Sequence, residues 1–233
     1  MLPQLPLGLK LRLNVSFDSF VGNANRELLT QLRASAQGTG EPYLYIWGGS
    51  GSGKSHLLQA GCHSAQQHQL AAAYIPLREA SRLTPEVLQN LSAFDLVCLD
   101  DFDRVCGQSH WEQALFNLFN QLRDAGARLL VSADRAAAAL PLQLVDLRSR
   151  LEWGPGYQLL GLDDVGRAQL LNRSAENRGL ELPPETLNYI LARAPRDTRS
   201  LLELLQRLDR ASLAAQRRLT VPFVRRVFEE ADY

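Results

Sequence analysis

The stretch Tyr43-Leu44-Tyr45-Ile46-Trp47-Gly48-Gly49-Ser50-Gly51-Ser52-Gly53-Lys54-Ser55 decides the fold. Its first five residues are apolar or aromatic and read as a buried strand. The remainder fits Gly-x-x-x-x-Gly-Lys-Ser, and a helical segment follows over 54–68. Strand, glycine-rich turn and helix, in that order, are what a phosphate-binding loop requires. Glycines let the backbone wrap a phosphate with several N–H groups pointing inward, and the helix N-terminus adds partial positive charge. Gly48, Gly51 and Gly53 then shape the loop, Lys54 reaches the β- and γ-phosphates, and Ser55 ligates Mg2+. Only Lys10 and Lys54 are lysines among the 25 basic residues; the chain otherwise uses arginine. A lysine kept in that background is explained at position 54 by the loop.

Outward from the loop, apolar strands alternate with helices. Strands are expected at 72–76, 96–100, 129–132 and 157–160, with a weak helix near 85–91. A helical face is expected through Trp111, Leu115, Leu118, Phe119 and Leu122. On the N-terminal side, Asn23 is positioned to cap a short helix ending near Ala36. The alternation predicts a parallel sheet with helices on both faces. After Gly161 no strand-like segment appears. Asp163 caps one helix, a second spans 184–193, a third starts at Asp197, and Thr220 opens the last. The expected organisation is an extended tail over 1–13, an α/β nucleotide-binding domain over 14–160 and a small all-α lid over 161–233.

The chain has 233 residues, 45% of them hydrophobic, and 25 basic residues against 25 acidic ones. Disorder is excluded by that composition, and a zero formal charge argues against gripping DNA mainly through phosphates, local basic patches aside. No apolar run approaches the length of a membrane span and no signal peptide is recognisable. Cys62, Cys98 and Cys106 lack metal-ligand spacing, which suits a reduced, cytoplasmic protein.

Three further segments carry chemistry. Leu96-Val97-Cys98-Leu99-Asp100-Asp101 is a buried strand ending in two acids, like a Walker B segment. Asp100 would hold Mg2+, and Asp101 is placed to orient an attacking water. In Leu129-Leu130-Val131-Ser132-Ala133-Asp134-Arg135 a strand ends in polar residues at the sheet edge where ligands bind, so Ser132 or Asp134 could sense the terminal phosphate. Equally, it could be an ordinary strand end with a helix cap. Arg148 and Arg150 lie in Asp146-Leu147-Arg148-Ser149-Arg150-Leu151-Glu152-Trp153-Gly154, and Arg199 sits in the first turn of a lid helix, where a cation favours an anionic partner.

Together these elements resemble the AAA+ ATPases and, within them, the DnaA branch, over nearly the whole chain. Phe17-Asp18-Ser19-Phe20-Val21 followed by Asn25 is similar to the box that lines adenine in that branch. The resemblance implies that Gly48, Gly51, Gly53, Lys54, Ser55, His56, Val21, Asp134 and Arg199 contact ADP or ATP, with Arg199 as sensor 2. It implies Mg2+ on Ser55 and Asp100, and an arginine finger, Arg150, acting in trans with Asp101 as the second catalytic residue. The tail Gln4-Leu5-Pro6-Leu7-Gly8-Leu9 resembles clamp-binding peptides, with Gln4 as polar anchor and Leu5, Leu7 and Leu9 in apolar sites. Gly8 stands where proline is common in such peptides.

A short DnaA-like chain with such a tail resembles the Hda family of regulatory inactivators. That resemblance implies an adenine-nucleotide-binding regulator, holding ADP, that works with the DNA-loaded sliding clamp of DNA polymerase III to stimulate hydrolysis of ATP on the DnaA initiator. Re-initiation of replication would be repressed. It further implies possible self-association, no sequence-specific DNA binding, no membrane attachment, and a place in the cytoplasm near the nucleoid and replisome. Two other readings fit the same motifs: a loader or motor hydrolysing its own ATP, and a non-enzymatic DnaA-like adaptor.

Overall fold

The computed structural model describes residues 15–229. The expected clamp-binding residues Gln4, Leu5, Leu7 and Leu9 lie outside that range. The described chain divides into two compact units. One holds residues 15–20 and 24–160, the other residues 21–23 and 161 onward.

In the first unit, Ser16 and Ser19 close a tight turn by exchanging hydroxyl and backbone hydrogen bonds. Then follow α1 (Arg26–Ala36), β1 (Tyr43–Trp47), α2 (Lys54–Gln67), β2 (Ala72–Pro76), β3 (Leu96–Asp100), α3 (Ser109–Ala125), β4 (Arg128–Ala133), α4 (Val145–Leu151) and β5 (Gly156–Gln158). The strands form one parallel sheet in the order β2-β3-β4-β1-β5. Inserting β4 between β1 and β3 is what brings three loop-bearing strand ends side by side, at the edge where open α/β sheets bind ligands.

The strands read as continuous apolar runs because both faces are covered. On one face Tyr43, Tyr45, Val97, Leu99, Leu129 and Val131 pack with Trp111, Leu115, Leu118 and Leu122 of α3. On the other, Leu44, Ile46, Leu96, Cys98 and Leu130 pack with Leu28 and Leu32 of α1 and Leu57 and Leu58 of α2. The period-2 alternation of each strand divides its residues between these two cores.

Several local expectations change. The first helix is preceded by a 3-10 turn over Asn23–Asn25 and starts at Arg26, without a side-chain cap. The expected weak helix near 85–91 is instead two 3-10 turns, Pro85–Leu88 and Leu91–Ala93, separated by Asn90 in the left-handed region. The fourth strand is longer than 129–132, and the last is Gly156–Gln158 rather than 157–160.

The second unit is helical: α5 (Asp164–Glu176), α6 (Pro184–Arg193), α7 (Thr198–Ala215) and α8 (Val221–Glu229). Asp163 caps α5 by accepting from the Gly166 N–H, and Asp197 caps α7 by accepting from the Ser200 N–H. Leu171, Ile190, Leu201, Leu205, Leu208, Val224 and Phe228 form its core. The observed class is thus the expected one, a parallel-sheet α/β unit followed by a helical lid. Among the described residues no helix is long and apolar enough to cross a membrane, and Cys62, Cys98 and Cys106 are free thiols.

Candidate functional site

The glycine-rich loop leaves β1 and enters α2 at Lys54. Lys54 is buried, and its Nζ donates to the carbonyl oxygens of Gly48 at 2.6 Å and Gly49 at 3.0 Å. An ammonium has three donors, so one remains for a phosphate oxygen. The Ser52 hydroxyl is buried in the loop and has no hydrogen-bond partner among the described residues. An orphaned donor inside a backbone cradle fits an anionic ligand, because leaving such a group unmatched is costly. Gly53 caps α2 with φ +106, and a Cβ there would stand 2.8 Å from the Phe20 ring. Glycine is therefore required twice, by the left-handed backbone and by the close approach of Phe20.

Phe20 also meets the His56 ring, 6.0 Å between centroids. His56 Nε2 lies 3.1 Å from the Ser19 hydroxyl and 3.0 Å from the Ser16 carbonyl oxygen. In the structure the imidazole therefore ties the 16–20 turn to the loop helix. Ser55 stands half-buried in the first turn of α2, beside Lys54.

The two acids sit where β3 ends, next to the end of β4. Asp100 is fully buried. One of its oxygens accepts from the Tyr74 hydroxyl at 2.6 Å and the other from the Ser132 hydroxyl. Each carboxylate oxygen retains acceptor capacity, so a metal or its water can still be held. Burial, reinforced by Asp100, pushes the Tyr74 phenol far above its usual value. Ser132 also accepts from the Asp101 N–H at 3.1 Å, so one hydroxyl fixes both acids.

Asp101 takes a left-handed backbone, φ 57, and faces Arg78 at 3.8 Å. Burial first, then repulsion from Asp100, raises its carboxyl above the ordinary range. Asp134 is held differently. Its carboxylate is gripped by Arg135 through two bonds of 2.8 Å, and that pairing lowers its pKa. Of the two candidates at this strand end, Ser132 is the one that touches the acid pair.

Arg148 and Arg150 have separate fates on α4. Arg148 donates to the carbonyl oxygens of Ala138 and Leu142, so its guanidinium holds the loop before the helix. Arg150 lies over the rings of Phe116 and Trp153, at 5.9 and 5.6 Å. Among the described residues no carboxylate stands within ion-pair distance of it. Trp153 is 61% exposed, and Arg150 itself is half-buried beneath it. The start of α4 is anchored by Glu112, which is 1% exposed and accepts from the N–H groups of Gly107, Gln143 and Leu144.

The profile of the bacterial DnaA ATPase domain matches residues 11–157. That of the Hda lid domain matches residues 164–228. The chain belongs to the DnaA-related AAA+ family, with an Hda-type lid. An uncharacterized protein of Haemophilus influenzae is 43% identical to it over 225 residues, 96% of this chain and 97% of that protein. Domain III of the replication initiation protein DnaA from Thermotoga maritima superposes with a TM-score of 0.83 at 24% identity, covering 95% of this chain and 98% of that one. AMPPCP-bound DnaA from Aquifex aeolicus gives 0.70 at 23% identity, over 84% and 65% of the two chains.

The structure of this DnaA-related chain brings Gly48, Gly51, Gly53, Lys54, Ser55, Asp100 and Asp101 to one edge of the sheet, with Ser132 joining the acids. Val21 groups with the helical unit, as does Arg199, which is exposed and paired with Glu203 at 3.0 Å in the first turn of α7. Sequence reading missed Tyr74, Arg78 and Glu112. A tyrosine inside a strand and a glutamate in an amphipathic helix carry no local mark, since their partners come from other elements.

Proposed function

We propose that this chain binds an adenine nucleotide, ADP in its working state, and stimulates hydrolysis of ATP held by the DnaA initiator. The nucleotide's phosphates would lie in the 48–55 loop on backbone N–H groups, Lys54 and the Ser52 hydroxyl. Mg2+ would be held through Ser55 and Asp100, where it neutralises phosphate charge. Val21, His56, Asp134 and Arg199 complete the proposed nucleotide set. The buried, unmatched Ser52 hydroxyl and the lysine kept inside the loop support this half of the reading.

Arg150 would act in trans, on a phosphoryl group in the neighbour's site; Asp101, the second proposed catalytic residue, would orient a water in the chain's own site. The observation that carries this role is the contrast on α4. Arg148 donates to two backbone carbonyls, whereas the half-buried Arg150 lies against ring faces with no carboxylate partner among the described residues. A guanidinium engaged by ring faces keeps all its N–H donors for an incoming phosphate. The DnaA-related fold and the Hda-type lid support the choice of partner. Residues 4–9 would hold the DNA-loaded sliding clamp, with Gln4, Leu5, Leu7 and Leu9 as anchors. The protein would then work in the cytoplasm at the replisome, as an extended tail over 1–13, a nucleotide domain over 14–160 and a lid over 161–233. Lower levels of ATP-bound initiator would suppress re-initiation.

The test is phosphate release from ATP-bound DnaA in the presence of clamp-loaded DNA. Arg150→Ala is expected to keep stability and ADP binding and to lose stimulation, since a finger supplied in trans is worth roughly 10³–10⁵ in rate where it is the main charge stabiliser. Arg148→Ala is expected to lose stability, by about 1–3 kcal/mol, and to keep stimulation while folded. An Arg150→Ala protein that stimulates like wild type defeats the trans finger; one that loses its own ADP shows action in cis. Removal of residues 1–9 should abolish clamp retention and leave ADP binding intact.

A further inference from the structure

The helical unit carries a cleft of about 340 Å³ lined by Arg217, Arg218, Thr220, Pro222, Phe223 and Arg226. It lies where α8 begins, after the loop that follows α7. We propose that this cleft is a nucleic-acid contact: Arg217, Arg218 and Arg226 receive the phosphodiester backbone of DNA without reading its sequence. The proposal is independent of the nucleotide site and of Arg150.

Charge segregation is the first support. The chain as a whole is neutral, yet residues 207–229 contain Arg207, Arg210, Arg217, Arg218, Arg225 and Arg226 against two acids, Asp209 and Glu229, the latter paired with Arg225 outside the cleft. Asp209 lies on α7 and faces Arg178 at 3.9 Å. The cleft arginines are exposed, and the first turn of α8 contains no acid. Arg218 is 87% exposed on its side chain, and its nearest carboxylate, Glu181, stands at 3.8 Å and is itself 76% exposed. A pair so hydrated exchanges readily for a phosphate, because surface ion pairs are weak. Guanidinium groups match phosphate oxygens through paired N–H donors.

The apolar residues of the same helix decide between anionic partners. Phe223, Val224, Val227 and Phe228 are buried in the core of the unit. So α8 keeps no free apolar face to enter a bilayer, which an interfacial helix needs. Among the described residues the unit holds helices alone, so the cleft offers no sheet edge on which a peptide strand could pair. Three exposed arginines around Thr220 and Pro222 fit a polyanion met by charge alone, and such phosphate contacts position a protein without specifying sequence.

The experiment uses the full chain and fluorescein-labelled oligonucleotides of random sequence, duplex and single-stranded, with anisotropy read from 50 to 200 mM salt. Three phosphate contacts predict a slope of log affinity on log salt of about −2.7 for duplex, hence an affinity loss of about 40-fold over that range. The triple variant R217A/R218A/R226A should remove measurable binding, and each single alanine should reduce the slope by about 0.9. Changing all three to lysine should restore the salt slope, since the charge is kept. R173A, an exposed arginine on α5, should bind like wild type. Thermal stability and ADP affinity of each variant show that the fold and the other site are unaffected. If wild type fails to bind either oligonucleotide at 50 mM salt, the proposal is overturned. The same holds if the triple alanine variant keeps the wild-type slope, or if the cleft arginines matter for anionic vesicles or a poly-glutamate peptide and not for DNA.

Discussion

Glu112→Gln is nearly isosteric, yet it should be among the most damaging single changes in the α/β unit. The carboxylate is 1% exposed and accepts from Gly107 N at 2.6 Å, Leu144 N at 2.7 Å and Gln143 N at 3.0 Å. Hydrogen bonds to a charged group contribute about 1.5–3 kcal/mol each, against about 0.5–1.5 for neutral pairs. Glutamine keeps one acceptor oxygen, which can serve two of the three N–H groups at neutral strength. The third would face an NH2 donor and stay unmatched in the interior, costing about 1–3 kcal/mol. A loss of about 3 kcal/mol follows, or roughly 6–12 °C in Tm for a protein of this size.

Urea and thermal unfolding, followed by the fluorescence of buried Trp111 so that the α/β unit is reported, measure the loss. Hydrogen exchange at Gln143 and Leu144 reports the local part. Because those two residues lead into α4, faster exchange there should accompany weaker stimulation of DnaA by Arg150 in the proposed assay, with ADP affinity retained. A variant within 1 kcal/mol of wild type, with unchanged exchange at Gln143 and Leu144, would refute the view that this carboxylate anchors the start of α4.

Three further outcomes are expected. Lys54→Ala removes a buried cationic phosphate contact and should weaken ADP binding roughly 100-fold, about 3 kcal/mol, by calorimetry; equal affinity would contradict the loop assignment. Asp101→Asn should raise Tm at pH 7. The folded-state pKa of Asp101 lies above its unfolded value, so the ionised group opposes folding at neutral pH; that penalty fades as pH falls through the raised value and is gone below about 3.9. Asparagine also tolerates the left-handed backbone, so a Tm gap that closes in acid checks the electrostatic part. Gly154→Ala would set a Cβ 2.4 Å from the Tyr43 ring and 2.7 Å from its carbonyl oxygen, and should cost about 1–3 kcal/mol in chemical denaturation.

The sequence by itself determined the local elements. Apolar runs bounded by turn residues located β1, β2 and β3 at their observed bounds, because strands buried on both faces announce themselves through composition alone. Asp163 was legible as a cap, since a cap bonds a backbone N–H three residues away; Asp197 was legible as a helix start, and the structure makes it the cap of α7. The glycine pattern between strand and helix marked the loop for the same reason: its chemistry is contiguous in the chain.

Tertiary structure decided everything that joins distant segments. Asn25 was legible only as part of a box similar to that of the DnaA branch, whereas in the fold its amide pairs with both backbone groups of Leu160, a partner 135 residues away. Tyr74 and Ser132 come to clamp Asp100 only because β2 and β4 flank β3, an order that no single strand encodes. Arg148 and Arg150 are two residues apart on one helix and alike in the sequence. What separates a structural strut from a cation without a hydrogen-bonded anchor is that one meets the carbonyls of Ala138 and Leu142, and the other the rings of Phe116 and Trp153. Local propensity writes an element into the chain, whereas the partner of a side chain is chosen by the surface that packing sets against it.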